Sequence, residues 1–206
     1  MSARSCEPNN SPSSPLMQHP RGFLMSRPAS IDTKTDANFD GSLDEKYYEM
    51  ARRYIEEVWD KNNIETEREL LADDWQDHMP LPGCPQGPAG HRAAVQLMHD
   101  AFPDLRFFLD DVTIMGDKVV DRWTATGTFH GELYGFPGTG KRMTMTGLDF
   151  HIVRDGKFSE LWHEESTASL VEQCGMAPEP GSGLGAILKL TFGNILHVAK
   201  HKIRNR

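Results

Sequence analysis

The sequence has no long hydrophobic run and few cysteines, and each absence argues against a class of protein. Its apolar runs are only a few residues long, whereas a membrane-spanning helix needs roughly 20. No apolar core follows a basic amino end, so a secretory signal is not expected. The three cysteines, Cys6, Cys84 and Cys174, are odd in number and far apart. They therefore predict neither a disulfide framework nor a C-x-x-C metal site.

Positive charge is also scarce, with 22 basic against 30 acidic residues and a formal net charge of −8. Such a chain repels phosphate backbones, so a nucleic-acid partner is not expected. The cysteine usage is typical of a reducing compartment, which favours the cytoplasm. Glu7 is the only acid among the first 31 residues, so an organelle-targeting leader stays open as an alternative.

Local cofactor and nucleophile motifs are missing as well. The sequence contains no G-x-G-x-x-G, G-x-x-x-x-G-K-[ST], H-E-x-x-H or G-x-S-x-G. The run His163-Glu164-Glu165 has no second histidine at helical spacing. We therefore expect a protein without cofactor and without metal.

Composition divides the chain into three parts. Residues 1–41 carry five prolines and no hydrophobic periodicity, which predicts a disordered leader. Residues 42–178 hold the periodic segments and form the predicted domain. Residues 179–206 contain a G-S-G linker and then five basic residues without an acid, on an amphipathic helical pattern. This tail is expected to dock on its own domain or on a dimer mate, or to contact a membrane surface or a protein partner.

Three helices are predicted first, and β-strands follow them. Ser42 and Glu45 form a capping-box pattern before a helix that runs to Val58, a shorter helical stretch covers Thr66–Ala72, and a third helix covers Gly90–Ala101. After Pro103 the period becomes two. The strand-like runs are Leu105–Met115, Lys118–His130, Met143–Arg154 and Lys157–Ser169, the last two joined by Asp155-Gly156. This order predicts an α+β fold in which helices cover one face of a curved antiparallel sheet around a pocket.

Two polar residues within the apolar strands are the candidate catalytic pair. Asp149 interrupts an otherwise apolar run, and an ionised carboxylate there is costly unless it is hydrogen-bonded or functional. Counting outward from the Asp155-Gly156 turn sets Asp149 opposite Trp162 and beside His163. An aspartate next to a histidine in a dry pocket suits proton transfer near neutral pH. Either His163 is the base and Asp149 orients it, or Asp149 is the base and His163 donates a proton to the developing oxyanion. A structural role or a solvent-facing position is the alternative for both.

Further residues are candidates for substrate binding. Histidines flank two loops, and Arg122 and large apolar side chains lie on the strands; the set is His78, Arg122, Trp123, His130, Met145 and Trp162. Alternation along Met143–Arg154 places Met145, Asp149 and His151 on one face, and Leu148, Phe150 and Ile152 on the other. Because the helices cover only one face, the apolar opposite face predicts a sheet-to-sheet homodimer.

Several runs of the sequence resemble one known family. They are A-F-P-D-L-R-F, G-D-K-V-V-D-R-W-T-A-T-G-T-F-H-G, G-F-P-G-T-G-K-R and T-G-L-D-F-H-I-V-R-D-G-K-F-S-E-L-W. In their order and spacing, over about residues 45–176, they resemble the SnoaL-like polyketide cyclases, also called ester cyclases. The resemblance implies the nuclear-transport-factor-2-like cone around an apolar cavity, commonly as a dimer.

The same resemblance implies a function. The family's cyclases close a polyketide methyl ester by intramolecular aldol condensation, without metal or cofactor, using an aspartate and a neighbouring histidine. Aligned on D-G-K, Asp149 stands at the position of the family's histidine, and His163 at that of its aspartate. We therefore expect acid/base chemistry on a small hydrophobic carbonyl compound, leading to cyclisation, isomerisation or hydrolysis. The alternative is a non-catalytic ligand- or protein-binding module of the same fold.

Overall fold

The computed structural model describes residues 41–177 of the chain. The predicted leader up to residue 40 and the predicted linker and basic helix at 179–206 lie outside the described residues. Within the described part, no helix is both long enough and apolar enough to cross a membrane.

The helices come mostly first, as the periodicity predicts. Helix α1 (Gly41–Arg53) begins one residue before the predicted cap Ser42, whose side chain is outside the description, and continues as a π-helical segment, Tyr54–Trp59. Helix α2 (Ile64–Leu70) is capped by the Asn63 side chain, which accepts hydrogen bonds from the amides of Glu65 and Thr66. Helix α3 (Pro88–Ala101) starts at a proline, which suits a first helical position.

A mixed five-stranded sheet packs against these helices. Its order is β1-β7-β6-β3-β2, with a separate two-stranded hairpin of β4 and β5. The strands are β1 (Leu71–Asp77), β2 (Arg106–Met115), β3 (Lys118–Thr128), β4 (Glu132–Leu133), β5 (Phe136–Pro137), β6 (Arg142–Arg154) and β7 (Lys157–Glu165). The α+β prediction is confirmed, and the four predicted strand runs correspond to β2, β3, β6 and β7.

Two predictions about these elements were wrong. The end of the predicted helix at Thr66–Ala72 and the polar run after it form β1, which pairs in parallel with β7, so the sheet is not wholly antiparallel. The predicted strand to Ser169 ends at Glu165, and helix α4 (Thr167–Gln173) follows. Strand β1 lies at the edge of the sheet, where Asp73 and Asp74 are exposed. Because these residues are polar, the segment lacks the run of apolar residues that predicts a strand.

Residues along β6 alternate between a buried face and an outer face, as predicted. Met143, Met145, Gly147, Asp149, His151 and Val153 are buried, whereas Leu148 is half exposed. The Asp155-Gly156 turn has positive φ at both residues, 51° and 76°, as a tight hairpin turn requires. The buried face of β6 therefore lies under the helices, where the pocket forms.

Candidate functional site

A pocket lies between the buried face of the sheet and the helices. Its wall is mainly apolar and aromatic, and its ionisable members are Tyr54, Asp77, His91, Tyr134, Asp149, His163 and Glu165. The pocket has a cavity volume of about 70 Å³, which is several times the ~10–15 Å³ that one water molecule requires. Few polar groups in a mostly apolar pocket are typical of a small-molecule site.

Asp149 and His163 lie directly opposite each other in this pocket. Strand β7 contains a bulge at Ser159, so the pairing shifts by one residue, from Val153 with Phe158 to Ile152 with Glu160. Asp149 is thus the cross-strand partner of His163, not of Trp162 as simple counting predicted. The Ser159 hydroxyl donates to the Ile152 carbonyl oxygen at 3.1 Å, which bridges the irregular pair.

The Asp149 carboxyl is 4% exposed and has a perturbed pKa. Burial, and next the nearby Asp121, raise its pKa to about 7, although His151, Trp123 and His163 act in the opposite direction. The indole N–H of Trp123 is close enough to lower the pKa of Asp149, but it has no partner that meets hydrogen-bond geometry. A carboxyl with a pKa near neutrality is populated both as a base and as an acid at physiological pH.

His163 has two carboxylate partners, and Asp149 is neither of them. Its Nδ1 lies 2.6 Å from a Glu165 oxygen, and its Nε2 lies 3.2 Å from an Asp77 oxygen. Burial alone would lower the pKa of His163, but the bonds and charges of Asp77 and Glu165 outweigh it and raise the pKa to about 10. His163 is therefore an imidazolium at neutral pH, with its Nδ1 hydrogen-bonded to Glu165 and its Nε2 in an ion pair with Asp77.

A second acid and histidine lie behind Asp149. Asp121 pairs with Asp149 across β3 and β6, and its carboxyl lies 3.1 Å from Nε2 of His151. Both side chains are fully buried; burial raises the pKa of Asp121 well above its usual range and lowers that of His151 to about 4. His151 also stacks on Phe158. Burial thus disfavours the charged form of both side chains, whereas the partners of His163 favour its charged form.

These residues also form the one group in the described part of the chain that could hold a metal ion. Ligand atoms of Asp121, Asp149 and His151 lie within 4.8 Å of one another. Asp121 Oδ1 and His151 Nδ1 have no hydrogen-bond partner among the described residues. Burial raises the pKa of Asp121 and lowers that of His151, so burial favours the neutral form of each side chain.

A separate series of hydrogen bonds between side chains of the helices reaches the opposite wall of the pocket. The Tyr54 hydroxyl lies 2.8 Å from Nε2 of His91, whose Nδ1 lies 2.7 Å from Glu67. Glu67 also accepts from Arg92 at 2.7 Å. With a carboxylate that is already paired to Arg92, Glu67 favours the tautomer in which His91 Nδ1 donates, and the Tyr54 hydroxyl then donates to Nε2. These hydrogen bonds fix the orientation of Tyr54 in the pocket wall.

Of the predicted substrate-binding residues, two line the pocket. Trp123 and Met145 both face it. Trp123 lies over Gly147, where an added Cβ would approach the indole to 2.3 Å, so a glycine is needed for this close packing.

The other four predicted substrate-binding residues lie elsewhere. His78 stacks on Trp162 at 3.9 Å between ring centroids and pairs with Glu160, and neither ring lines the pocket. Arg122 pairs with Asp110 at 3.0 Å on the opposite face of the sheet. His130 is exposed, and its backbone amide donates to the Ala101 carbonyl oxygen. The structure brings Asp149, His163, Trp123 and Met145 together, but not these four.

Several residues in or directly behind the pocket wall were not predicted from the sequence. Glu165 lies two residues after His163 on the same strand face, and Asp121 interrupts an apolar strand just as Asp149 does, so alternation could have found both. Asp77 lies on β1, which was not predicted as a strand. Tyr54 and His91 are on helix faces that the periodicity assigns to the core.

Comparison with known proteins agrees with this fold and pocket. The family model described as "SnoaL-like polyketide cyclase" matches residues 49–174. A comparison with curated protein sequences gives no match.

Similar solved structures include two described as "putative polyketide cyclase". One, from Bacillus cereus, is 27% identical, with 68% of this chain and 88% of that one covered and a TM-score of 0.60. The other, IdmH from Streptomyces antibioticus, is 31% identical, with 63% and 98% covered and a TM-score of 0.56. TsrD from Streptomyces laurentii is 25% identical, with 69% and 98% covered and a TM-score of 0.58. Since the family model covers more than half of the chain, the protein belongs to the SnoaL-like polyketide cyclase family.

Proposed function

We propose that the protein is a cofactor-independent enzyme that uses Asp149 as a general base and acid on a small hydrophobic carbonyl compound of the polyketide type. The observation that carries this assignment is the clamp of His163 between Asp77 and Glu165, directly across the strand pair from Asp149. A base must be unprotonated, and His163 is held as a cation. The proton acceptor of the pair is then Asp149.

The reaction divides between three groups. The Asp149 carboxylate takes a proton from the carbon next to a substrate carbonyl, which leaves an enolate. The unpartnered indole N–H of Trp123 is the donor that stabilises the developing oxyanion, and His163 offsets part of the negative charge of Asp77 and Glu165 around it. In a cyclisation, the enolate carbon attacks a second carbonyl of the same molecule, and the resulting alkoxide takes back the proton from Asp149.

The surrounding wall supports this chemistry. Aromatic and aliphatic side chains exclude bulk water, which strengthens the electrostatic terms. The pKa of Asp149, about 7, leaves a large share of carboxylate at neutral pH. The raised pKa makes the carboxylate a stronger base, and the protonated carboxyl is still far more acidic than an alcohol, so it returns the proton to an alkoxide.

The test is turnover of an aldol-type polyketide methyl ester by the Asp149→Asn variant. We expect kcat/KM to fall by at least ~10²-fold, with an unchanged circular dichroism spectrum. In the unmodified protein kcat/KM should rise with pH through about 7, because the base is the ionised form. Asp155→Asn is the matched control, since the exposed turn residue has a positive φ of 51° that asparagine accepts. Equal turnover by Asp149→Asn would exclude Asp149 as the base.

A further inference from the structure

The ionisable groups of the pocket carry an excess of negative charge. Asp77 and Glu165 together hold one cation, His163, and the lining residues include no lysine or arginine. His91 does not add a positive charge, because burial lowers its pKa. The pocket thus has a net charge of about −1 with Asp149 protonated and about −2 with Asp149 ionised, in a site of low dielectric constant.

The apolar part of the wall is a continuous aromatic surface. Trp59 packs on Phe107 at 5.3 Å between ring centroids, and Phe107 packs on Trp123 at 5.1 Å. All three line the pocket. The faces of such rings attract ammonium groups, and the attraction grows when the cation is desolvated.

We propose that the pocket selects a carbonyl substrate that carries an amine, with the ammonium group held by Glu165 and Asp77 against the aromatic wall and the carbonyl facing Asp149. The inference rests on the proposed function only in placing the substrate in this pocket. A carboxylate-bearing compound is disfavoured there, since it would add a third or fourth negative charge to one site.

The ammonium group would also change the ionisation of Asp149. A positive charge in the pocket stabilises the carboxylate form, so its arrival expels the proton that Asp149 holds near neutral pH. The other groups that face Asp149 are Asp121 from β3, His151 from β6, His163 from β7 and Tyr54 from the π-helical segment. His151, His163 and Tyr54 are not expected to titrate near pH 7, because burial or hydrogen bonding shifts each of their pKa values away from neutrality, and burial favours the protonated form of Asp121. The substrate charge would thereby convert Asp149 into the base.

Calorimetric titration of the full chain at pH 7 with three matched probes tests this inference. Benzylamine should bind at least about tenfold more tightly than benzyl alcohol, and benzoate more weakly than either. Titration in two buffers of different ionisation enthalpy should show proton release with benzylamine alone. Failure of benzylamine to bind at millimolar concentration, or equal binding of the amine and the alcohol, would overturn the inference.

Adjacent residues provide a matched pair of variants. Glu165→Gln should reduce the preference for benzylamine over benzyl alcohol several-fold. Glu164→Gln should leave it unchanged, because Glu164 is exposed on the other face of β7. Asp149→Asn should abolish proton release and keep the amine preference. An amine preference that survives Glu165→Gln would contradict the assignment. None of these readouts requires turnover, so their failure is distinct from failure of the proposed reaction.

Discussion

The two faces of the central sheet use the same residue types in opposite ways. On the pocket face, His163 has Glu165 and Asp77 as partners and is 9% exposed. On the outer face, His78 has Glu160 as its partner and stacks on Trp162, which is 38% exposed. The pKa of His163 is raised to about 10. On the pocket face, a histidine is thus held as a cation by two carboxylate partners in a site with little water.

Within the pocket face, His151 and His163 show the same rule. Both lie on neighbouring strands under the helices. Burial lowers the pKa of His151 to about 4, and burial raises the pKa of its neighbour Asp121. Where burial outweighs the neighbouring charges the imidazole stays neutral, and where two carboxylate partners outweigh burial it stays charged.

The largest effect is expected from removing the cation of the pocket. His163→Gln leaves Asp77 and Glu165 without their common partner, so the free energy of unfolding at pH 6 should fall by ~2–4 kcal/mol. The contribution of His163 is fully present below its unfolded pKa of about 6.5 and is lost as the pH rises through about 10. Denaturant titration measures the difference.

Two further variants sharpen this comparison. His78→Gln, the same change on the outer face, should cost less than ~1 kcal/mol. The double variant His163→Gln with Glu165→Gln should recover part of the loss, because it removes one unpaired carboxylate. Equal losses for His163→Gln and His78→Gln would show that the two faces do not differ.

Removing the ionisable group of Asp149 should have the opposite effect on stability from removing that of His163. Its pKa is raised in the folded protein, so the folded state binds more protons than the unfolded chain between about pH 4 and about pH 7. The contribution of Asp149 to stability therefore falls as the pH rises through this range. Asp149→Asn should increase the free energy of unfolding by roughly 1–3 kcal/mol at pH 8 and leave it nearly unchanged at pH 4. A loss of stability at pH 8 would mean that the Asp149 carboxylate is well compensated.

The smallest effect on stability is expected on the outer face. Leu148 is 50% exposed, so Leu148→Asp should change the free energy of unfolding by no more than ~0.5 kcal/mol within one chain. The predicted sheet-to-sheet homodimer adds a second readout, because a charge at its centre should convert a dimeric mass to a monomeric one in light scattering. A monomeric mass for the unmodified protein at micromolar concentration would contradict the dimer prediction.

Much of this division into two faces could be predicted from the sequence. Alternation along β6 assigns Asp149 and Met145 to the buried face and Leu148 to the outer face, as the structure shows. Alternation follows from the geometry of any strand, so a single sequence suffices. The Asp155-Gly156 turn likewise follows from the preference of these residues for positive φ.

The partners of the catalytic candidates could not be predicted in the same way. The register of Asp149 with His163 depends on the bulge at Ser159, which has no reliable sequence signal. Asp77 reaches His163 because β1 pairs in parallel with β7, a contact between strands far apart in the chain. The charge of His163 depends on these tertiary partners, so its role changes from a candidate base to a fixed cation.

The most direct test is the protonation state of the two buried histidines, followed by ¹⁵N NMR of the imidazole rings from pH 5 to pH 9. His163 should remain doubly protonated across this range, because its pKa is raised to about 10. His151 should remain neutral across the same range, because its pKa is lowered to about 4. A His163 ring that loses its proton near pH 6.5 would contradict the account, since it would restore His163 as the base and remove the fixed cation opposite Asp149.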